Sequence, residues 1–241
     1  VVKISIVVPA FNEERLLGQS LGQIKLATPA FEQRGWETEL IVCDNNSTDQ
    51  TAKIAREAGA LVVFEPINQI ARARNRGAET ATGDWLIFVD ADSHPSAELF
   101  ADVAEQIVAG KCVAGGTTVK MDANLRTARL AVWIWNSISR TFKLLAGSFI
   151  FCEAEAFRKI GGFNEKMFAA EELDLSGRLK KFAKEAGKRV IILSHHPLLT
   201  SARKLHLYSF WEHFRLLFLI AFNRRVLTNR EACHLWYDGR R

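Results

Sequence analysis

The chain has 241 residues, 48% hydrophobic and 24% charged, a globular balance with enough material for a sizeable core. No Pro/Gly/Ser-rich linker, internal repeat or low-complexity tract divides it, and no apolar run reaches the ~18 residues needed to span a bilayer. The formal net charge of +5 favours anionic partners such as nucleotide phosphates, acidic lipid headgroups or nucleic acid.

The four cysteines, Cys43, Cys112, Cys152 and Cys233, are far apart and form no CxxC pair. Cys43 and Cys152 sit inside apolar runs, as free buried thiols do. A reducing, cytoplasmic setting is expected. The opening Val1-Val2-Lys3 runs into a strand-like stretch without a signal-peptide pattern, and the missing initiator Met warns of trimmed ends.

In chain order, the first strand is expected at Ile4–Val8, stopped by Pro9. Others follow at Glu39–Cys43, Ala60–Phe64 and Trp85–Val89. Each is short, rich in β-branched or aromatic residues and lacks polar alternation, which predicts strands buried on both faces. Helical patterns lie between and after them, over roughly 13–27, 49–59, 69–81 and 96–109. Strands alternating with helices predict an α/β fold with a mostly parallel sheet.

The strand ends carry the polar residues. The first run leads into Pro9-Ala10-Phe11-Asn12-Glu13, the second ends at Asp44-Asn45-Asn46-Ser47-Thr48-Asp49, and the fourth at Asp90-Ala91-Asp92. Carboxyl ends of parallel strands share one edge, where ligands bind. Ser47-Thr48-Asp49 also suits a helix cap, and Asp44 a turn. Two carboxylates at i and i+2 point the same way and repel, which a cation or hydrogen-bonding ligand would relieve; a solvated turn is the plainer alternative.

These residues resemble glycosyltransferase family 2, an inverting family with the GT-A fold. The resemblance rests on Val7–Glu14, on Val42–Thr51, on Ala73-Arg74-Asn75-Arg76-Gly77 and on Asp90-Ala91-Asp92. It continues in Gly161-Gly162-Phe163-Asn164-Glu165, followed by Glu171-Glu172-Leu173-Asp174-Leu175. It covers about residues 3 to 205, and implies a GT-A domain over 1–204 with a nucleotide-sugar-binding half, 1–120, and an acceptor-side half, 121–204. A helical extension, 205–241, would follow.

The resemblance implies transfer of a sugar from a UDP- or GDP-linked donor to an acceptor hydroxyl. Asp92 would ligate Mn²⁺ or Mg²⁺, hard cations that prefer carboxylate oxygens. Asp90 would hold ribose or a metal-bound water. Asp44 would accept from the nucleobase, Glu13 would bind ribose, and Pro9, Ala10, Asn12, Asn46 and Ala91 would line the donor. Arg74 would approach the base or phosphates; a surface arginine beside Arg72 and Arg76 is the alternative. Glu172 stands where the family has its base, the second acid of a pair, with Glu171 second; acids at a helix start also suit the macrodipole. Gly147–Phe151 is expected as a strand near the donor sugar, followed by Cys152-Glu153 where many relatives carry an arginine.

His195-His196-Pro197 and Ser201-Ala202-Arg203-Lys204 follow the strand-like Val190–Leu193. His195 or His196 would complete the metal site, at most one of them since neighbours on a strand point to opposite faces, with His196 the one assigned, and Arg203 would bind phosphate; a loop or core histidine is the alternative. Beyond Leu205, apolar residues at helical spacing with Arg224, Arg225 and Arg230 suggest peripheral contact with the cytoplasmic membrane face through 205–225, or a packed helix. The acceptor would then be a glycan or a lipid-linked hydroxyl. A catalytically silent nucleotide-sugar-binding module and a sugar-phosphate nucleotidyltransferase are rival readings. Nucleic acid is not expected as a partner, since no known binding motif appears.

Overall fold

A computed structural model of the chain describes residues 1–121, 126–201, 227–228 and 233. It is built on an eight-stranded sheet: β1 (Lys3–Ala10), β2 (Glu37–Asp44), β3 (Leu61–Phe64), β4 (Trp85–Val89), β5 (Ser93–His94), β6 (Cys112–Met121), β7 (Phe149–Glu153) and β8 (Arg189–Thr200). The order across the sheet is β3-β2-β1-β4-β7-β6-β8-β5. β1, β2, β3 and β4 run parallel, β7 is antiparallel to both β4 and β6, and β8 is parallel to β6. The mostly parallel α/β reading therefore holds.

Helices cover both faces. On one side lie α1 (Leu17–Ala27), α2 (Pro29–Glu32), α3 (Thr51–Glu57) and α5 (Ala97–Ala109); on the other lie α4 (Ile70–Thr80), α7 (Ala154–Lys159) and α8 (Glu171–Glu185). Strand residues alternate between these two cores. Ile4, Ile6 and Val8 of β1 pack with Leu21, Phe31 and Phe100, whereas Val7 packs with Ala71, Phe157 and Leu175. That is why the central strands read as unbroken apolar runs.

Some boundaries differ from the sequence reading. β1 passes through Pro9 to Ala10, because its ladder with β4 ends at Val7 and the proline needs no donor on that side. β3 is not buried on both faces: it is the sheet edge, and Leu61 and Phe64 are exposed. α1 begins at Leu17, leaving residues 13–16 as turns. Ser96 caps α5 by accepting from the Leu99 N–H at 3.2 Å. The sheet is continuous across the expected 120/121 division, which falls at the end of β6. Of the expected extension 205–241, Leu227 and Cys233 are buried beside Ala169; the segment 205–225 and Arg203 lie outside the described residues.

α4 sits tightly on β1. A Cβ added to Gly77 would come within 2.4 Å of Val7 Cγ1, so only glycine allows this approach. We predict that Gly77→Ala costs about 1–3 kcal/mol by overpacking. Helix propensity alone would stabilise by about 1 kcal/mol, so an unchanged or raised denaturation midpoint would rule out the close contact.

Candidate active site

The carboxyl ends of β1, β2 and β4 are neighbours, so the polar clusters after them meet at one edge. Ala10 pairs with Asp44 across the β1–β2 ladder, and Asn45 N–H donates to the Ala10 carbonyl at 2.8 Å. The loops beyond are latched together. Asn12 N–H donates to Ser47 Oγ at 3.0 Å, Thr48 N–H returns a bond to Asn12 Oδ1 at 2.8 Å, and Glu13 N–H reaches Thr51 Oγ1 at 2.8 Å. Asn12 and Asn46 hold positive φ, a conformation asparagine tolerates in tight turns. Asp44 is buried, and its Oδ1 accepts from Ser47 N–H at 3.0 Å. Glu13 is buried too, and Asn46 is exposed.

Arg74 differs most from expectation. The sequence suggests an arginine approaching base or phosphates; in the structure it is 1% exposed and committed to protein partners. Nη1 donates to Glu171 Oε1 at 2.5 Å, and Nη2 donates to Asp90 Oδ1 and to the Gly147 carbonyl, both at 2.9 Å. Its guanidinium carbon lies 5.1 Å from the centre of the Phe163 ring. A Cβ at Gly147 would fall 2.9 Å from Nη2, so the glycine clears the path for this bond. Arg74 thus joins the end of β4, the loop before β7 and the start of α8. Burial opposes its charge, but Asp90, Glu171 and Glu172 outweigh that and hold its pKa above the ordinary arginine value.

The acid pair divides its environment. Glu171 is 3% exposed and ion-paired with Arg74. Glu172 is half-buried; burial first, then the neighbouring Glu171 charge, push its carboxyl up to about 8 against the lowering effect of Arg74. Ser176 Oγ accepts from Leu145 N–H at 2.9 Å and donates to the Glu172 carbonyl at 2.7 Å, tying α8 to the loop carrying Gly147.

Asp90 and Asp92 flank buried Ala91. Asp92 is buried, and its carbonyl accepts from Ser201 N–H at 3.2 Å, so the end of β8 reaches this turn. His196 does not join them. Its Nδ1 lies 3.0 Å from Asp102 Oδ2 on α5, and among the described residues no three His, Cys, Asp or Glu side chains form a metal-holding group. The physical reason is that β8 carries His196 to a carboxylate on a covering helix. The two aspartates offer the carboxylate oxygens that a hard divalent cation would prefer. All four cysteines are free and buried, and burial pushes the Cys43 thiol up to about 12.

Sequence reading gives no role to Asn45, Asn75 or Ser176, yet these place the site. Asn45 Nδ2 donates to the Glu65 and Ile67 carbonyls at 3.3 and 2.7 Å, and its Oδ1 accepts from Gln69 N–H at 2.8 Å, fixing the start of α4. Asn75 accepts from Phe163 N–H at 2.8 Å and donates to the Phe163 carbonyl at 2.9 Å, clamping the ring beside Arg74. Asn45 and Asn75 lie inside the quoted motifs, which is the signal the chain offers for them; Ser176 lies one residue beyond the last motif and carries none.

A model of glycosyl transferase family 2 matches residues 5–161. The chain belongs to this family. An uncharacterized glycosyltransferase of Rickettsia typhi is 33% identical over 97 residues, 40% of this chain and 30% of that protein. The mannosyltransferase PcManGT from Pyrobaculum calidifontis, solved with GDP-Man and Mn²⁺, superposes with a TM-score of 0.69 at 20% identity, over 96% of this chain and 68% of that one. S. aureus TarS 1-349 in complex with UDP-GlcNAc gives 0.64 at 22% identity, over 83% of this chain and 59% of that one. The chain has the GT-A fold of these neighbours, and it spans only about a third of the length of the curated Rickettsia typhi relative. Among its described residues no helix is long and apolar enough to cross a membrane.

Two predictions follow from the buried cluster. Arg74→Ala leaves Asp90 and Glu171 without their cation and is expected to destabilise by about 3–5 kcal/mol in chemical denaturation. Glu172 holds its proton in the folded protein up to about pH 8 against a reference of 4.5, so the folded state binds more protons between these values. Without divalent metal, that contribution is full below the lower value and is lost as pH rises through the upper one. Glu172→Gln should flatten the fall in melting temperature over that window; an unchanged slope would contradict the raised pKa.

Proposed function

We propose that this glycosyltransferase moves a sugar from a UDP- or GDP-linked donor to the hydroxyl of a glycan or lipid-linked acceptor, with inversion. The observation that carries this reading is the Arg74 cluster. It joins Asp90, from the turn expected to meet the donor diphosphate, to Glu171, from the acid pair expected to meet the acceptor.

Asp92, with Asp90 beside it, would hold Mn²⁺ or Mg²⁺, and the cation when bound neutralises charge on the departing diphosphate. Support for a divalent cation comes from PcManGT, solved with Mn²⁺. Asp44 and Glu13 are the donor-side carboxyls, with Pro9, Ala10, Asn12, Asn46 and Ala91 lining the same edge; Arg203 is assigned to the diphosphate. Glu172 takes the acceptor hydroxyl proton. The acceptor oxygen then bonds to the anomeric carbon, and the bond from that carbon to the diphosphate oxygen breaks. Arg74 holds the adjacent Glu171 in an ion pair, and Glu172, with its carboxyl raised to about 8, is poised to exchange a proton near neutral pH. Peripheral membrane contact through 205–225 belongs to the same reading.

The first test is calorimetric titration of UDP and GDP with and without Mn²⁺, on the wild type and on Asp92→Ala. Metal-dependent binding of one diphosphate, lost in the variant, is the expected result and identifies the base. No binding of either by the folded protein would remove the donor-site assignment. With the donor known, Glu172→Gln is expected to lower kcat by about 10²–10⁴-fold while donor binding persists. A silent module would bind the donor but show neither transfer nor hydrolysis.

A further inference from the structure

The inner face of helix α6 (Arg126–Phe142) is fixed, and among the described residues its outer face from Leu130 to Phe142 is exposed. Asn136 makes both amide bonds to the backbone of Val119 at the end of β6, accepting from its N–H at 3.0 Å and donating to its carbonyl at 2.9 Å. Ser139 is buried and donates to the Leu144 carbonyl at 2.7 Å. These bonds leave Leu130, Trp133, Ile134, Ile138 and Phe142, at i, i+3, i+4, i+8 and i+12, exposed on the outer half of the helix. Trp133 is 66% and Phe142 63% exposed. Single exposed apolar residues are ordinary; a stripe with Trp and Phe running the length of one helix is not.

The charges beside the stripe are all of one sign. No Asp or Glu occurs from 126 to 143, whereas Arg129, Arg140 and Lys143 are exposed. Lys180 of α8 donates to the Phe142 carbonyl at 3.0 Å, adding a cation at the same end. Arg140 and Lys143, with Ser137 and Thr141, line a cleft of about 470 Å³ against β8. Apolar side chains flanked by cations and hydroxyls, with no carboxylate on the helix, match an anionic lipid surface: the apolar stripe enters the acyl boundary while the basic cleft meets phosphate headgroups. A protein partner would need an apolar groove lined by acids, and nothing on this face selects that over lipid.

We infer that α6 is a membrane-seating helix that holds the domain against anionic phospholipid. This assignment stands apart from the donor chemistry and from the segment 205–225. The chain leaves α6 at Phe142, and by Gly147 its carbonyl is already accepting from Arg74, so a membrane under α6 lies next to the acid cluster.

The test is co-sedimentation of the full chain, without nucleotide, with phosphatidylcholine vesicles with and without phosphatidylglycerol, at low and high salt. Binding only to the anionic vesicles, weakened by salt, is expected for the wild type. Trp133→Glu/Phe142→Glu, which changes only exposed side chains, should weaken it about tenfold or more. Arg140→Gln/Lys143→Gln, which keeps the apolar stripe, should also weaken it about tenfold. Thermal melts matching the wild type would show that both variants are folded. A wild type that stays in the supernatant overturns the inference. So do folded variants that bind like the wild type, which would move the contact elsewhere on the chain. A wild-type dimer in sedimentation velocity that the Glu variant dissociates, without vesicle binding, would assign the stripe to self-association and overturn it equally.

Discussion

A guanidinium cannot shed its charge inside a protein, so a buried arginine must be surrounded by acceptors. Arg74 finds three for Nη1 and Nη2, a carboxylate after β4, a carboxylate at the start of α8 and a carbonyl before β7, while its buried Nε has no partner among the described residues. Each comes from a different part of the chain, and each must be in place for the others to be satisfied. The close seat of α4 on β1 at Gly77 and the Asn75 clamp on Phe163 set where the guanidinium can reach. Geometry near the proposed reacting centre therefore depends on packing well removed from it.

The same cation separates two adjacent acids. Glu171 is held in the ion pair, and its charge, after burial, is the main reason that the Glu172 carboxyl is raised to about 8. A raised carboxyl beside an ion-paired one allows different roles, one proton-exchanging and one electrostatic. An Asp in place of Glu172 would be one methylene shorter, so the reach of the longer side chain belongs to the geometry this chain has built around it.

The sheet and its helices were largely legible because burial on both faces leaves a direct trace: continuous apolar runs of about five residues separated by helical periods. β6 leaves no such trace, since Gly115, Gly116, Thr117 and Thr118 weaken the strand pattern and only its neighbours β7 and β8 enforce it. β3 misled in the opposite direction: its apolar residues resemble a central strand, but its edge position leaves Leu61 and Phe64 in solvent. His196 illustrates a further limit. A histidine after a strand is compatible with a metal site or an ion pair, and the helix that lies across it, bringing Asp102, makes the choice.

From the sequence alone came the α/β class, the family resemblance, and the candidate acids at the ends of β1, β2 and β4, because strand burial and polar strand ends are local properties of the chain. The tertiary structure decided what those residues touch. It buried Arg74 among carboxylates, paired His196 with Asp102, and left Trp133 and Phe142 of α6 exposed. Hydrogen-bond partners, desolvation and exposure depend on which distant segments arrive at the same place, and local pattern carries no record of that arrival.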